Sequence, residues 1–146
     1  MQQRASLCRA LVHKPKLLLL DEPFAALDAF TREELWCVLR DLWIDHKFTT
    51  LLVTHDLREA TFLSDKIFVM SARPGKITNI YDVNFKHKRD LKITYSEKFV
   101  KLTQNLRKEI SNNRYEKFIT IPKTNLLSNN LYDCILFILG DLLLYF

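Results

Sequence analysis

An apolar run, Leu17-Leu18-Leu19-Leu20, ends in two adjacent acids, Asp21 and Glu22. A parallel strand of that kind delivers its C-terminal residues to the edge of the sheet where α/β proteins bind phosphates. Asp21 there can hold a Mg²⁺ shell, and Glu22, next along, is free to position or polarise a water for attack on a terminal phosphate. A second run, Thr49 to Thr54, ends at His55. Taken alone, these types leave two readings open. A turn with a solvated acid pair fits Asp21 and Glu22 as well as chemistry does, and a histidine after a strand is often a hydrogen-bonded structural residue.

Glycine limits the phosphate chemistry. Average usage of about 7% would give roughly ten in a chain of this length, and there are two, Gly75 and Gly140. A Walker A loop needs two glycines about five positions apart followed by Lys and Ser/Thr, and a dinucleotide fingerprint needs about three. Glycines so far apart build neither, so no phosphate is held in a glycine-rich loop of these residues.

The elements that must position the acids and the histidine are legible from periodicity. Residues 1–13 read as a helix with Leu7, Cys8, Leu11 and Val12 on one face, stopped near Lys14 by Pro15. Leu17 to Leu20 reads as a strand buried on both faces of a parallel sheet. Thr31 to about His46 is predicted as a helix, with Thr31 and Glu34 as a capping box and a stripe of Leu35, Val38, Leu39, Leu42 and Trp43. Thr49 to Thr54 is predicted as a strand, and Asp56 as the cap of a short helix over Leu57 to Leu63 with Glu59 at its third position. Lys66 to Met70 and Ile77 to Tyr81 are predicted strands joined by a turn at Arg73-Pro74-Gly75-Lys76. Strand and helix in alternation predict an α/β domain with a parallel sheet. Ser96 caps a further predicted helix with Phe99, Leu102, Leu106 and Ile110 on its apolar face. Beyond Arg114 periodicity is weak and no motif is evident.

Composition excludes several classes. The chain has 146 residues, 48% apolar and 27% charged, which describes a globular domain rather than a disordered one. Its net charge of +5 is uneven: residues 1–80 hold 11 Lys/Arg against 10 Asp/Glu, and residues 81–146 hold 11 against 7. The basic excess from Lys86 to Lys123 is scattered, which describes a solvated surface rather than a nucleic-acid platform. Cys8, Cys37 and Cys134 fit neither a disulfide frame nor a zinc site and suggest a reducing compartment. The chain opens Met-Gln-Gln-Arg without a signal-peptide core, and Leu131 to Phe146 is short for a spanning helix and contains Asp133 and Asp141.

Spacing resolves the ambiguity of the acids. Met1-Gln2-Gln3-Arg4 with Arg9-Ala10-Leu11, then Leu17 to Pro23, then Ala26-Leu27-Asp28, then Val53-Thr54-His55-Asp56 resembles the second half of an ABC-transporter ATPase. In order, these blocks look like the tail of the signature helix, the Walker B strand with its catalytic Glu, the D-loop and the switch histidine. The continuation from Val69 through Arg73-Pro74-Gly75-Lys76 to Ile77 looks like the branch serving nitrate, sulfonate, taurine or pyrimidine-precursor importers.

The resemblance implies a partial P-loop NTPase of RecA-like α/β fold, a parallel sheet with flanking helices lacking the Walker A half. It implies ATP and Mg²⁺ as cofactors: Asp21 at the metal, Glu22 polarising the attacking water, His55 sensing the γ-phosphate, and Gln3 and Asp28 at the nucleotide and dimer face. Partners would be a second ATPase subunit and transmembrane permease subunits, with a solute-binding protein acting indirectly, at the cytoplasmic face of the membrane. The expected organisation is residues 1–80 as the C-terminal half of the ATPase domain, 81–114 as the family's C-terminal extension, and 115–146 as an unassigned apolar tail. The Ser-Gly-Gly signature, Walker A loop and Q-loop would all precede Met1. The expectation is a C-terminal fragment of an importer ATPase, with a catalytically inactive remnant of a disrupted gene as the alternative. The Walker A strand is expected beside the Leu17–Leu20 strand, so its absence should leave exposed, aggregation-prone edges.

Overall fold

The computed structural model of the chain describes residues 9–10, 12, 15–71, 76–113 and 117–121. The expected turn at Arg73-Pro74-Gly75, most of the 1–13 helix including Gln3, and the apolar stretch from Leu131 lie outside the described residues. Among the described residues these elements follow in order: β1 (Leu17–Asp21), α1 (Ala29–His46), β2 (Thr49–Thr54), α2 (Leu57–Leu63), β3 (Lys66–Met70), β4 (Ile77–Asp82), a 3₁₀ turn (Leu91–Tyr95), α3 (Glu97–Asn113) and β5 (Lys117–Ile121).

Local chemistry sets most boundaries. Helix α1 starts earlier than its expected Thr31 cap. Asp28 is the N-cap and its carboxylate accepts the Thr31 N–H at 3.0 Å, so Thr31 supplies an orphan donor from within the first turn. The helix ends at Lys47, whose φ of 52° lies in the left-handed region while its N–H donates to the Trp43 carbonyl. Its buried face is Leu35, Trp36, Leu39 and Trp43. Val38, expected on that stripe, is exposed, and Trp36 replaces it by stacking on Phe62 with centroids 5.7 Å apart. Helix α2 is capped by Asp56 as expected, through the Arg58 and Glu59 N–H groups. At α3, the Ser96 hydroxyl accepts the Phe99 N–H at 3.3 Å.

The sheet is mixed, in the order β1-β2-β5-β3-β4. Strands β1 and β2 pair in parallel, Leu17 opposite Thr49 through Asp21 opposite Val53. Strand β3 runs the same way as these two, since both β2 and β3 pair antiparallel with β5. Strand β4 is the antiparallel hairpin partner of β3, with a register shift between Val69 and Met70. The α/β class stands, with the parallel β1–β2 pair and the expected β3–β4 hairpin set in one mixed sheet. Residues 117–121, where no element was expected, form an antiparallel strand in the position between β2 and β3.

The border of the described sheet falls at β1, the strand expected to lack a neighbour. Among the described residues β1 lies at the border of the sheet with β2 as its partner, whereas the far side of β2 is paired by β5. Strand β1 is not buried on both faces as its run of leucines predicts: Leu18 is 4% exposed, but Leu17 and Leu19 are 39% and 51% exposed. Leu18 lies under the aromatic core of α1, which also holds Phe24, Phe48, Phe62 and Phe99, and its neighbours in sequence point away from it. A second cluster joins Ala60 of α2, Ile67 and Val69 of β3, Val83 and Leu106 of α3. The β1–β2–β5–β3 register puts Leu18, Leu52, Thr120, Ile67 and Val69 on one face of the sheet, so α1, α2 and α3 share that face.

Candidate functional site

Strands β1 and β2 are parallel and in register, so their C-terminal ends open onto one edge. At that edge β1 stops abruptly. The Glu22 N–H still bonds the Val53 carbonyl at 2.9 Å, but Glu22 itself has φ of 45°, a left-handed conformation uncommon outside glycine. Pro23 follows, and a tight turn closes with Ala25 N–H on the Glu22 carbonyl and Leu27 N–H on that of Phe24. Phe24 anchors this turn in the core at 1% exposure. Glu22 is thus pinned at its backbone, with its side chain turned out of the strand's alternation.

That side chain meets His55. The Glu22 Oε2 lies 2.8 Å from His55 Nδ1, joining residues 33 apart in sequence. A carboxylate only accepts, so Nδ1 carries the proton in this contact and Nε2 is left facing outward. The histidine is open to solvent, with its side chain 64% exposed against 24% for Glu22.

The turn that carries His55 is tightly held. The Asp56 N–H donates to Thr54 Oγ1 at 3.0 Å, and Asp56 Oδ1 accepts from the Arg58 and Glu59 N–H groups at 2.8 and 3.1 Å. Arg32 of α1 then ties the two turns of the edge together. Its Nη1 donates to Asp56 Oδ2 at 2.9 Å and its Nη2 to the Leu27 carbonyl at 3.0 Å. Behind this layer sits Glu59, 3% exposed. Burial pushes its carboxyl up to about 8; the Thr54 hydroxyl works against the rise, Asp56 and Glu22 add to it, and Arg32 opposes it.

The sequence-predicted residues therefore fall as follows. Glu22 and His55 are in contact. Asp21 ends β1 one residue before Glu22 and is exposed. Asp28 caps α1 at the same edge, its carboxyl held below the usual range by the Thr31 backbone N–H and then its hydroxyl. Gln3 lies outside the described residues. Sequence reasoning missed Arg32 and Thr54 and read Glu59 only as a helix-start residue. The Thr54-His55-Asp56 run followed by Glu59 was the available signal, but burial of Glu59 depends on α1 lying alongside.

The described residues contain no group of three or more His, Cys, Asp and Glu side chains able to hold a metal ion by themselves. Mg²⁺ keeps most of its waters and takes one or two carboxylates plus phosphate oxygens. An exposed Asp21 at a strand end fits that limited share, provided a nucleotide supplies the remainder. No described helix is long and apolar enough to cross a membrane.

No family model matches the chain. Individual proteins do. It is 46% identical over 110 residues to the aliphatic sulfonates import ATP-binding protein SsuB of Bacillus cereus, a match covering 75% of this chain and 41% of that protein. The SsuB protein of Bacillus licheniformis is 49% identical over 84 residues, covering 58% of this chain and 33% of its own length. That of Burkholderia pseudomallei is 55% identical over 71 residues, covering 49% and 22%. The chain thus spans less than half the length of the curated relatives it matches.

Proposed function

We propose that this chain belongs with the ATP-binding subunits of ABC transporters, in the branch of the sulfonate importers, and that it carries the hydrolytic and phosphate-sensing portion of such a subunit. The reading covers ATP hydrolysis coupled to uptake of a small organic anion of the sulfonate kind. The observation that carries it is the contact of Glu22 with His55 across the ends of two parallel strands.

In this reading Glu22 accepts a hydrogen bond from the attacking water and aims it at the γ-phosphorus, while its other oxygen stays with His55. The outward Nε2 of His55 reaches a γ-phosphate oxygen, and loss of that phosphate frees the ring and the turn behind it. Asp21 would contribute a carboxylate to a Mg²⁺ shell, and the chemistry supplied there would be neutralisation of charge on the transferring phosphoryl group. Asp28, at the mouth of α1, faces a second nucleotide-binding subunit. Gln3 belongs to the nucleotide side through the resemblance of its motif. The expected assembly pairs two such subunits with two permease subunits at the cytoplasmic face of the membrane.

Phosphoryl transfer relies on positioning and electrostatic stabilisation, so these residues need a phosphate cradle to work. The two glycines of this chain do not make one. The chain alone is therefore expected to bind ATP weakly or not at all. Hydrolysis is expected on mixing it with a polypeptide that supplies the Walker A portion of a sulfonate-type subunit, and its loss with Glu22→Gln. Micromolar ATP binding by the chain alone refutes the division of labour. No turnover from the mixture, despite a stable complex, supports an inactive remnant instead.

A further inference from the structure

The helix that follows His55 departs from an ordinary capping box. In that motif the acid at the third helical position reaches back to the N–H of the capping residue. Here Glu59 is the acid and Asp56 the cap, but the Asp56 N–H is taken by Thr54 Oγ1 at 3.0 Å. The Thr54 hydroxyl, 1% exposed, in turn bonds the Glu59 carboxyl. With the Glu59 N–H on Asp56 Oδ1 at 3.1 Å, the three residues close a ring. His55 is the one residue between its two backbone anchors.

A surface cap needs none of the burial that Glu59 has. Its side chain is 3% exposed, and Oε1 is buried without a hydrogen-bond partner. Burying a carboxyl in this way is costly for a helix of seven residues, and an exposed Glu or Gln would cap as well. The charged groups facing it are Asp56 on its own helix, Glu22 beyond β1 and Arg32 of α1.

We propose that Glu59 is a positioning residue for the candidate site: through the Thr54 hydroxyl and the Asp56 amide, its buried carboxyl fixes the turn that holds His55 against Glu22. The inference rests on the proposed role of His55 for its functional meaning, but the geometry it asserts stands apart from ATP turnover. The neutral carboxyl is the form that suits this pocket, since burial withholds water from the charged form and ionisation would set a third negative charge beside Asp56 and Glu22, outweighing the opposing pull of the Thr54 hydroxyl and Arg32. The ring should then loosen as Glu59 ionises.

Amide hydrogen exchange on the intact chain tests this, read as protection factors from pH 6 to pH 9, with the Leu106 amide of α3 as the internal measure of global folding. In the wild type, protection of the Asp56 amide should fall at least tenfold more than that of the Leu106 amide as pH rises through about 8, and the His55 ring resonances should shift over the same interval. Glu59→Gln should keep the protection and remove the pH step. Glu59→Ala and Thr54→Val should each lose protection at all pH values. Three results overturn the proposal: a pH step that persists in Glu59→Gln, unchanged Asp56 protection in a folded Glu59→Ala or Thr54→Val, or loss at Asp56 that always tracks Leu106. Failure of His55→Ala to affect turnover in the reconstituted ATPase would instead refute the proposed function and leave the ring intact.

Discussion

Replacing Arg89 should cost more stability than any other charged side chain in the described fold. The sequence places it in a basic stretch, yet its side chain is 3% exposed, beside Asp65 at 6%. Its Nη1 donates to the carbonyls of Phe62 at 2.6 Å and Ser64 at 2.7 Å, with Thr61 at 3.4 Å, and so closes the C-terminal end of α2. Nη2 donates to Asp65 Oδ1 at 2.9 Å and Nε to the Lys86 carbonyl at 3.2 Å. Burial draws the guanidinium down from its usual range while Asp65 holds it up, as expected for a charge retained by its partner. Removing one member of such a buried pair typically costs about 3–5 kcal/mol. Arg89→Met falls in that range because it abandons several helix-end carbonyls as well as a buried carboxylate. Against a total of roughly 5–15 kcal/mol for a domain, that is enough to unfold a marginal chain. Urea unfolding followed by tryptophan fluorescence reads the change as a shift in midpoint at constant slope. Arg89→Lys, which keeps the charge and loses the fork, should recover part of it. Adding Asp65→Asn to Arg89→Met should recover some too, since the buried carboxylate that faced the guanidinium charge is then gone. A loss under about 1 kcal/mol for Arg89→Met, or strict additivity with Asp65→Asn, would refute the argument.

Three further outcomes follow from the same packing. A carboxyl ordinarily near 4.5 and held near 8 favours the folded state while protonated. Glu59 therefore contributes fully below about pH 4.5 and loses that contribution as pH rises through 8, up to roughly 5 kcal/mol at ~1.4 kcal/mol per pH unit; Glu59→Gln should flatten this part of the stability–pH curve measured by urea titration, and an unchanged slope would contradict the assignment. Asp28→Ala should lower the midpoint of thermal melts by loosening the start of α1, whereas Asp28→Asn, which still caps, should leave it nearly in place; equal losses would mean the charge rather than the cap matters. Phe99→Ala, removing a ring of α3 that is 1% exposed, should cost about 3–5 kcal/mol by the same melts, and a shift of less than about 1 kcal/mol would place Phe99 outside the core.

The elements around the site were legible because their punctuation is local. Thr49–Thr54, Leu57–Leu63 and Lys66–Met70 form where periodicity places them, since His55-Asp56 and Ser64-Asp65 interrupt the apolar runs and Asp56 is a strong cap. The meeting of Glu22 and His55 is also readable, as two strand ends on one sheet edge. Other features depend on partners far away in sequence. Nothing in Lys117–Ile121 distinguishes a strand from a loop until β2 and β3 supply its hydrogen bonds, the Thr120 hydroxyl reaching the Leu52 carbonyl 68 residues back. Arg89 counts as surface charge by composition, and only the α2 carbonyls around it make it interior. Glu59 reads as a capping acid until Arg32 and Glu22 are seen on its other sides.

Strand β5 also dictates the order in which this fold can be completed. Strands β1 and β2 form one ladder and β3 and β4 another, and among the described residues β5 alone joins them. A chain growing from the ribosome at about 5–20 residues per second can form both ladders early, but the sheet stays in two pieces until residues 117–121 emerge. Closure then brings together residues 68 apart, an entropic step expected to slow folding relative to the local helices. A nascent chain stalled before residue 117 should hold two protease-sensitive ribbons, and release of β5 should weld them into a single cooperative unit.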